Sequence, residues 1–322
     1  MKRWAVGVTA VGAIALAISA QIDPRGALAG AQAASAAAAS LALGCILLLL
    51  MLPLIEGRWQ ITLAPTLRMG AALLPWAMIG LWPVLLAAWW LYPKIEPDTQ
   101  GFRGLWLQPS SIALRGLLYA AVWFCLQRLA VRGIGAAAAG LGVIVMVLSL
   151  SAAGIDWLMA LDSRFYSTSF GLFYVCRALL MAIALIGLVD PHADPRLVRA
   201  LLLGCTLLWG YLHFMQYLIA WAGNLPREAA WYQTRTTGGW LSVGWILGLV
   251  QAVLCTGLLV SIWACRPNVL RCACGGTLLC GFIEMTWLAV PSLGLAPGLA
   301  CWSASWVWAG LTALLWNRRR HA

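Results

Sequence analysis

Several side chains with acid–base capacity lie within long apolar runs of this sequence. His213, Gln216 and Tyr217 follow one another at i, i+3 and i+4 in the run GYLHFMQYLIAWAG, so a helix would present all three on one side. Glu284 lies in a second apolar run, GGTLLCGFIEMTWLAV. At a rise of about 1.5 Å per residue, His213 and Glu284 are predicted at matching depths, roughly 22 Å into their helices. Imidazole, carboxylate and amide groups at one depth indicate proton transfer.

The turn DWLMALDSRFYST adds further polar groups between two apolar runs. Its Asp156 and Tyr166 complete a set that could bind the two oxygens of a quinone ring and carry its protons. The hypothesis is that one polar cavity, in the outer half of the protein, is lined by Asp156, Tyr166, His213, Gln216 and Glu284. We expect the turn to cover this cavity and to dock partner subunits through Asp162 and Arg164, with Asn224 beside them.

The same residues also have purely structural interpretations. An ionisable side chain in lipid costs a few kcal/mol, so each requires a partner or a function. His213 could simply hydrogen-bond another helix, and Asp156 and Asp162 could cap helix ends. Arg177 and Gln251, near the middle of their spans, are predicted to be structural ties to carbonyls, to a carboxylate or to each other.

The composition excludes a soluble protein. Of 322 residues, 63% are hydrophobic and 10% are charged, and the mean hydropathy is +0.87. This apolar surface exceeds what a soluble domain can bury, so we predict an all-α polytopic membrane protein that forms one integral membrane domain over residues 1–322. The net charge of +11 does not indicate nucleic acid, because the basic residues stand singly in short loops.

Apolar runs of about 20 residues predict ten spans. They are approximately 4–20, 30–54, 68–92, 110–129, 133–153, 166–189, 198–222, 240–265, 269–289 and 298–317. The first run also has the form of a cleaved signal peptide, which would leave nine spans, but its length favours a retained helix. Most Lys and Arg residues then fall on the side of the N-terminus, which predicts a bacterial inner (cytoplasmic) membrane protein with both termini cytoplasmic and the DWLMALDSRFYST turn outside.

Resident metal centres are not expected. A haem b site within a bundle usually takes two histidines at similar depth, yet His213 is alone in its span. Cys265, Cys272 and Cys274 form a group without a close fourth ligand, which is a weak zinc or iron–sulfur pattern. We therefore predict no metal and no cofactor bound directly, with quinone or quinol as the possible ligand.

Two long stretches resemble the ActF-type membrane subunit of alternative complex III. They are DWLMALDSRFYSTSFGLFY and GYLHFMQYLIAWAGNLPREAAWY, and FRGLWLQPSSIALRGLLYAAVW is similar to the region that precedes them in that family. The family pattern reads approximately DWxMSLEPHWYSTxFGxYF and AYxxFSQFLIxWxGNLPEE. The residues that match it are Asp156, Trp157, Met159, Leu161, Tyr166, Ser167, Thr168, Phe170 and Gly171, then Tyr211, Phe214, Gln216, Leu218, Ile219, Trp221, Gly223, Asn224, Leu225 and Pro226.

The resemblance implies an NrfD-like fold of ten helices with two four-helix bundles, about 30–153 and 166–289, and peripheral helices at 4–20 and 298–317. It also implies a non-autonomous subunit of a complex that oxidises quinol. The implied partners are a homologous NrfD-like membrane subunit and subunits that carry iron–sulfur clusters and multihaem cytochrome c. Two alternatives are a structural scaffold of the same complex without a quinone site and a secondary transporter.

The chain departs from the family pattern at the outer surface. Asp162, Ser163 and Arg164 stand where the family has Glu, Pro and His, and Arg227 replaces a Glu. His213 stands where the family has a small residue.

Overall fold

The computed structural model of the chain describes residues 2–55, 57, 59–86, 88–92, 102–162, 165–260, 267–295, 302–308 and 310. These residues form helices, short 3₁₀ turns and connecting loops, and none of them lies in a strand. The helices are α1 (Lys2–Ile22), α2 (Pro24–Met51), α3 (Trp59–Ala71), α4 (Leu74–Leu86), α5 (Ala88–Leu91), α6 (Phe102–Trp106), α7 (Pro109–Arg132), α8 (Ala136–Trp157), α9 (Phe170–Val189), α10 (Pro195–Gly223), α11 (Pro226–Gln233), α12 (Trp240–Leu259) and α13 (Pro267–Ala289). Residues 302–308 are helical as well.

Eight helices in the described part of the chain are long and apolar enough to cross a membrane: α1, α2, α7, α8, α9, α10, α12 and α13. All eight correspond to predicted spans, so the all-α, multi-pass class is supported. The third predicted span, 68–92, is divided among α3, α4 and α5, and much of the tenth, 298–317, lies outside the described residues. The count of ten spans therefore stays a prediction.

Helix α2 lies at the centre of the protein. It packs against α3, α4 and α8 and also against α9 and α13, so helices of both predicted bundles share one core. Its small Ala side chains let these helices approach closely. At Gly44 a Cβ atom would collide with the Ala178 carbonyl of α9, so this crossing requires glycine.

Polar residues and prolines set several helix boundaries. The Asp23 carboxylate accepts a hydrogen bond from the Gly26 amide at 2.9 Å and begins α2, and Asp194 caps α10 in the same way through the Arg196 amide. Asn224, with a φ of 45°, ends α10 in the left-handed conformation that Asn tolerates. The run from Ser19 to Leu50 is therefore cut into two helices at Asp23–Pro24, as predicted by the gap between the first two spans.

The predicted span 68–92 is broken because of Pro75. Proline has no amide hydrogen, so Pro75 cannot donate to the carbonyl of Ala71, four residues earlier, and the chain turns at Ala72–Leu73 instead. The Gln127 side chain of α7 replaces the missing donor, with Nε2 at 2.7 Å from the Ala71 oxygen. The break is therefore compensated by a neighbouring helix, as irregular backbone at membrane depth requires.

We expect Gln127→Leu to destabilise the protein by about 1–3 kcal/mol, because it leaves the Ala71 carbonyl without a donor. Pro75→Ala returns a backbone N–H to this position, so the same Leu substitution should cost much less in a Pro75→Ala background. Thermal unfolding of the four proteins of this double-mutant cycle measures the coupling. If Gln127→Leu lowers the stability by the same amount in both backgrounds, Gln127 does not replace the donor that Pro75 lacks.

Candidate functional site

The carboxylate of Glu284 is the centre of a buried polar cluster. Glu284 and Arg177 form an ion pair in which neither side chain is exposed. The other carboxylate oxygen of Glu284 accepts a hydrogen bond from the Trp209 indole Nε1 at 2.7 Å and lies 2.8 Å from Nε2 of His213. We call Arg177, Trp209, His213 and Glu284 the Glu284 cluster.

Three helices position this cluster. Trp209 and His213 stand at i and i+4 on α10, so one helix face directs both rings to the same oxygen. Arg177 belongs to α9, and α9 packs antiparallel to α13 so that Arg177 reaches the level of Glu284. The sequence predicted the matching depth of His213 and Glu284, and the contact between the two side chains is in accord with it.

The ion pair determines which nitrogen of His213 is basic. A carboxylate held by a guanidinium stays ionised and acts only as a hydrogen-bond acceptor. Nε2 of His213 must then carry the proton that it shares with Glu284, which leaves Nδ1 as the nitrogen able to accept another. The His213 side chain is 25% exposed while that of Glu284 is fully buried, so His213 is the member of this pair that a group outside the cluster can reach.

Aromatic rings enclose His213. Its ring lies 4.1 Å from Phe173 and 4.3 Å from Trp209, centroid to centroid, both with edge contacts. The centre of the Trp287 ring lies 6.5 Å from that of His213 and 5.8 Å from that of Trp231. These rings therefore form a series that leads away from the Glu284 cluster. It runs toward the end of the protein that carries the 158–169 turn, and we call this end of the protein the turn end.

Two connecting segments cover the cluster at the turn end. Phe165, from the predicted lid, stacks on Trp231 of α11 at 4.5 Å. Ser167 Oγ lies 3.5 Å from Oε1 of Gln216, and Gln216 also hydrogen-bonds the Tyr232 side chain. Gln216 thus links α10 to the 158–169 turn and to α11.

Arg235 fastens the second of these segments. Its guanidinium donates to the carbonyl oxygens of Trp231 and Leu288, each at 2.7 Å, and lies 3.4 Å from the centre of the Trp231 ring. Burial lowers the pKa of Arg235, and the negative charge of Asp162 opposes this shift. The contacts tie the loop before α12 to the end of α13.

Asp156 belongs to a different cluster. Its carboxylate is fully buried and pairs with Arg115, at 2.7 Å from Nε and 2.9 Å from Nη2. It also accepts hydrogen bonds from the Tyr119 hydroxyl at 2.8 Å and from the Trp106 indole at 3.0 Å. These contacts join α6, α7 and α8, so the structure separates Asp156 from the Glu284 cluster that it was predicted to accompany.

The remaining predicted residues are distributed as follows. Tyr166 is 41% exposed at the turn end. Gln251 is buried on α12. Asn224 is exposed, Asp162 is buried, and Arg164 lies outside the described residues. The burial of Asp162 leaves little of its side chain for a partner to contact, and docking at this surface stays a prediction.

Several residues of these contacts were not singled out from the sequence. Arg115 and Arg235 were counted only as loop charges, although they are tied to buried groups. Tyr119 and Trp209 appeared as ordinary aromatic residues of apolar helices. A signal was present, because Arg115 with Tyr119 and Trp209 with His213 each stand at i and i+4 on a single helix.

A metal site receives no geometric support within the described ranges, where no three His, Cys, Asp or Glu side chains converge. Cys272 and Cys274 lie in α13, and Cys265 is outside the described residues. The cysteines Cys45, Cys125, Cys176, Cys205, Cys255, Cys272, Cys274 and Cys280 are free thiols.

Comparison with known proteins does not assign a family. Neither the protein families nor the curated proteins with which the chain was compared give a match. The resemblance to the ActF-type subunit therefore rests on the quoted residues alone and stays a prediction.

Proposed function

We propose that this chain is a ten-span membrane subunit of a quinol-oxidising electron-transfer complex, and that the Glu284 cluster takes up protons released by quinol. The single observation that carries the proposal is the contact between a partly exposed imidazole and a fully buried ion pair. Such a pair is expensive to place in a membrane, and a proton path is a function for which this cost is tolerated.

The proposed step begins at Nδ1 of His213. Oxidation of a quinol to a quinone releases two protons and two electrons. Cofactors of the partner subunits, iron–sulfur clusters and haem c, would accept the electrons. Nδ1 accepts the two protons one after the other, because His213 releases the first before it takes up the second. The resulting imidazolium is stabilised by Glu284 at 2.8 Å through Nε2, and release of the proton restores the starting state.

A scaffold function is the second candidate, and the Asp156 cluster favours it. Asp156 accepts four hydrogen bonds from three side chains, so it has no remaining capacity that chemistry would require. Glu284 also has partners at both of its oxygens, hydrogen bonds at one and the ion pair with Arg177 at the other. The scaffold and proton-path functions therefore differ mainly in the role of His213.

Gentle purification of the tagged full-length chain from its native membrane tests the proposed class. We expect iron–sulfur and multihaem cytochrome c subunits to co-purify, with quinol oxidation in the assembled complex. Isolation of the chain alone, with transport of a solute in vesicles, would contradict the proposal and support a transporter.

His213→Gln tests the proposed residue. The amide can still contact Glu284 but cannot accept a proton, so we expect quinol oxidation to fall about a hundredfold or more with assembly retained. His192→Gln is the matched control. His192 is exposed in the loop between α9 and α10, so a complex with this substitution should oxidise quinol at the normal rate. Parallel loss of assembly and activity in His213→Gln would favour the scaffold.

A further inference from the structure

Arg177 carries more hydrogen-bond donors than the described residues satisfy. Its Nη2 faces Glu284, but Nε and Nη1 have no hydrogen-bond partner among the described residues, and the side chain is fully buried. The guanidinium carbon of Arg177 lies over the Trp209 ring, 5.1 Å from its centre. This cation–π contact accepts no hydrogen bond from the guanidinium N–H groups. Unsatisfied donors on a buried cation are costly, so these groups require an acceptor.

Gln251 offers a second unsatisfied group, on α12, which packs against α10 and α13. Its side chain is 1% exposed, and neither Oε1 nor Nε2 has a partner among the described residues. Replacement of such an amide by an apolar side chain would normally stabilise a protein, which makes an unpartnered Gln in a membrane span an unusual choice.

The helix register places these two groups at neighbouring depths. Helices α12 and α13 are antiparallel, and their alignment is given by the close approach of Gly244 to Trp287 and of Gly276 to Leu254. This alignment places Gln251 opposite Cys280, one turn from Glu284 on α13. The axial offset between Gln251 and the Arg177–Glu284 pair is therefore about 6 Å. Helices α9 and α12 both pack against α10 and α13, so a group between the two residues would lie beside these shared neighbours.

We propose that ordered water binds between Arg177 and Gln251 and continues the Glu284 cluster away from the turn end. Water accepts from the Arg177 N–H groups and both donates to and accepts from the Gln251 amide, so it satisfies all of the atoms concerned. A bound anion fits less well, because Glu284 already neutralises Arg177 and a further negative charge would be desolvated without compensation.

The water site stands independently of the function of the chain, but its use as a path rests on the proposed function. With water at this position, a proton accepted by His213 at the turn end has hydrogen-bonded groups on the other side of the ion pair, at the depth of Gln251.

A map of the assembled complex, at a resolution that shows water, tests the site without any substitution. We expect peaks within hydrogen-bond distance of Arg177 Nε or Nη1 and of the Gln251 amide. A continuous map that shows these atoms bonded to protein groups, or packed dry against apolar side chains, overturns the proposal.

Gln251→Leu tests the path, with Gln127→Leu as its matched control. Both substitutions remove a buried amide, but the Gln127 amide bonds the Ala71 carbonyl and has no part in the proposed site. We expect Gln251→Leu to lose the water peaks and to lower quinol turnover per folded complex about tenfold. Gln127→Leu should lower stability but leave turnover per folded complex unchanged.

The outcomes separate this inference from the proposed function. Water peaks with normal turnover of Gln251→Leu and slow turnover of His213→Gln would overturn the path and leave the proposed function in place. Water peaks with normal turnover of both variants would instead overturn the proposed function and retain only the water site.

Discussion

Glu284→Gln should destabilise the protein by about 3–5 kcal/mol, because it leaves the buried Arg177 charge without a counter-ion. Gln can still accept hydrogen bonds from Trp209 and His213, so the loss arises mainly from uncompensated charge. The measurement is the unfolding temperature and the yield of the purified complex. An unchanged unfolding temperature would show that Glu284 does not neutralise a buried Arg177 charge.

The double variant Arg177→Met, Glu284→Met separates stability from function. Replacing a buried ion pair with apolar side chains of similar volume is often neutral or stabilising, so assembly should largely recover. The remaining cost is the acceptor that Trp209 and His213 lose. Proton uptake should not recover, since His213 then has no carboxylate to stabilise its imidazolium. A double variant that assembles and oxidises quinol normally would show that the Glu284 cluster is only a structural tie.

Asp156→Asn should cost about 2–4 kcal/mol of stability, because Arg115 and the Trp106 and Tyr119 donors all converge on this carboxylate. We expect a smaller loss than for Glu284→Gln, since the Arg115 side chain is 15% exposed and water can screen its charge. Turnover per folded complex should remain unchanged. Thermal unfolding and quinol oxidation on the same preparation measure both quantities.

Asp23→Asn is the control for this substitution. Asp23 caps α2 through the Gly26 amide, and Asn caps helices about as well as Asp, so the change should be close to neutral. A selective kinetic defect in Asp156→Asn, with normal stability, would return Asp156 to the proton path predicted from the sequence.

The positions of most helices could be predicted because an apolar run of about 20 residues has few alternatives to a membrane span. The break at Ala72–Leu73 was missed, since hydropathy continues across Pro75 while hydrogen bonding does not. Helix ends at Asp23 and Asn224 follow from local capping, which acts over a few residues and is visible in sequence.

The candidate site was less accessible to sequence reasoning. Depth could be counted along each helix, which is why His213 and Glu284 were placed at one level. Which helices are neighbours, and how each is rotated, depends on packing across the whole protein. Asp156 was therefore grouped with His213, although Arg115 and Tyr119 hold it against α7. Trp209 was missed for the same reason, because its indole N–H has a role only through the hydrogen bond to Glu284 on another helix.

The central place of α2 has a consequence for biogenesis. This helix leaves the ribosome before α13, which packs against it, because α13 begins at residue 267 and is synthesised roughly ten to forty seconds later. During the first part of that interval, until residue 157 has been synthesised, the Gln32 amide lacks one or both of its eventual partners, the Tyr92 hydroxyl and the Trp157 carbonyl. Newly inserted α2 must therefore be sheltered from lipid, by the translocon or by an assembly chaperone, until the later helices arrive.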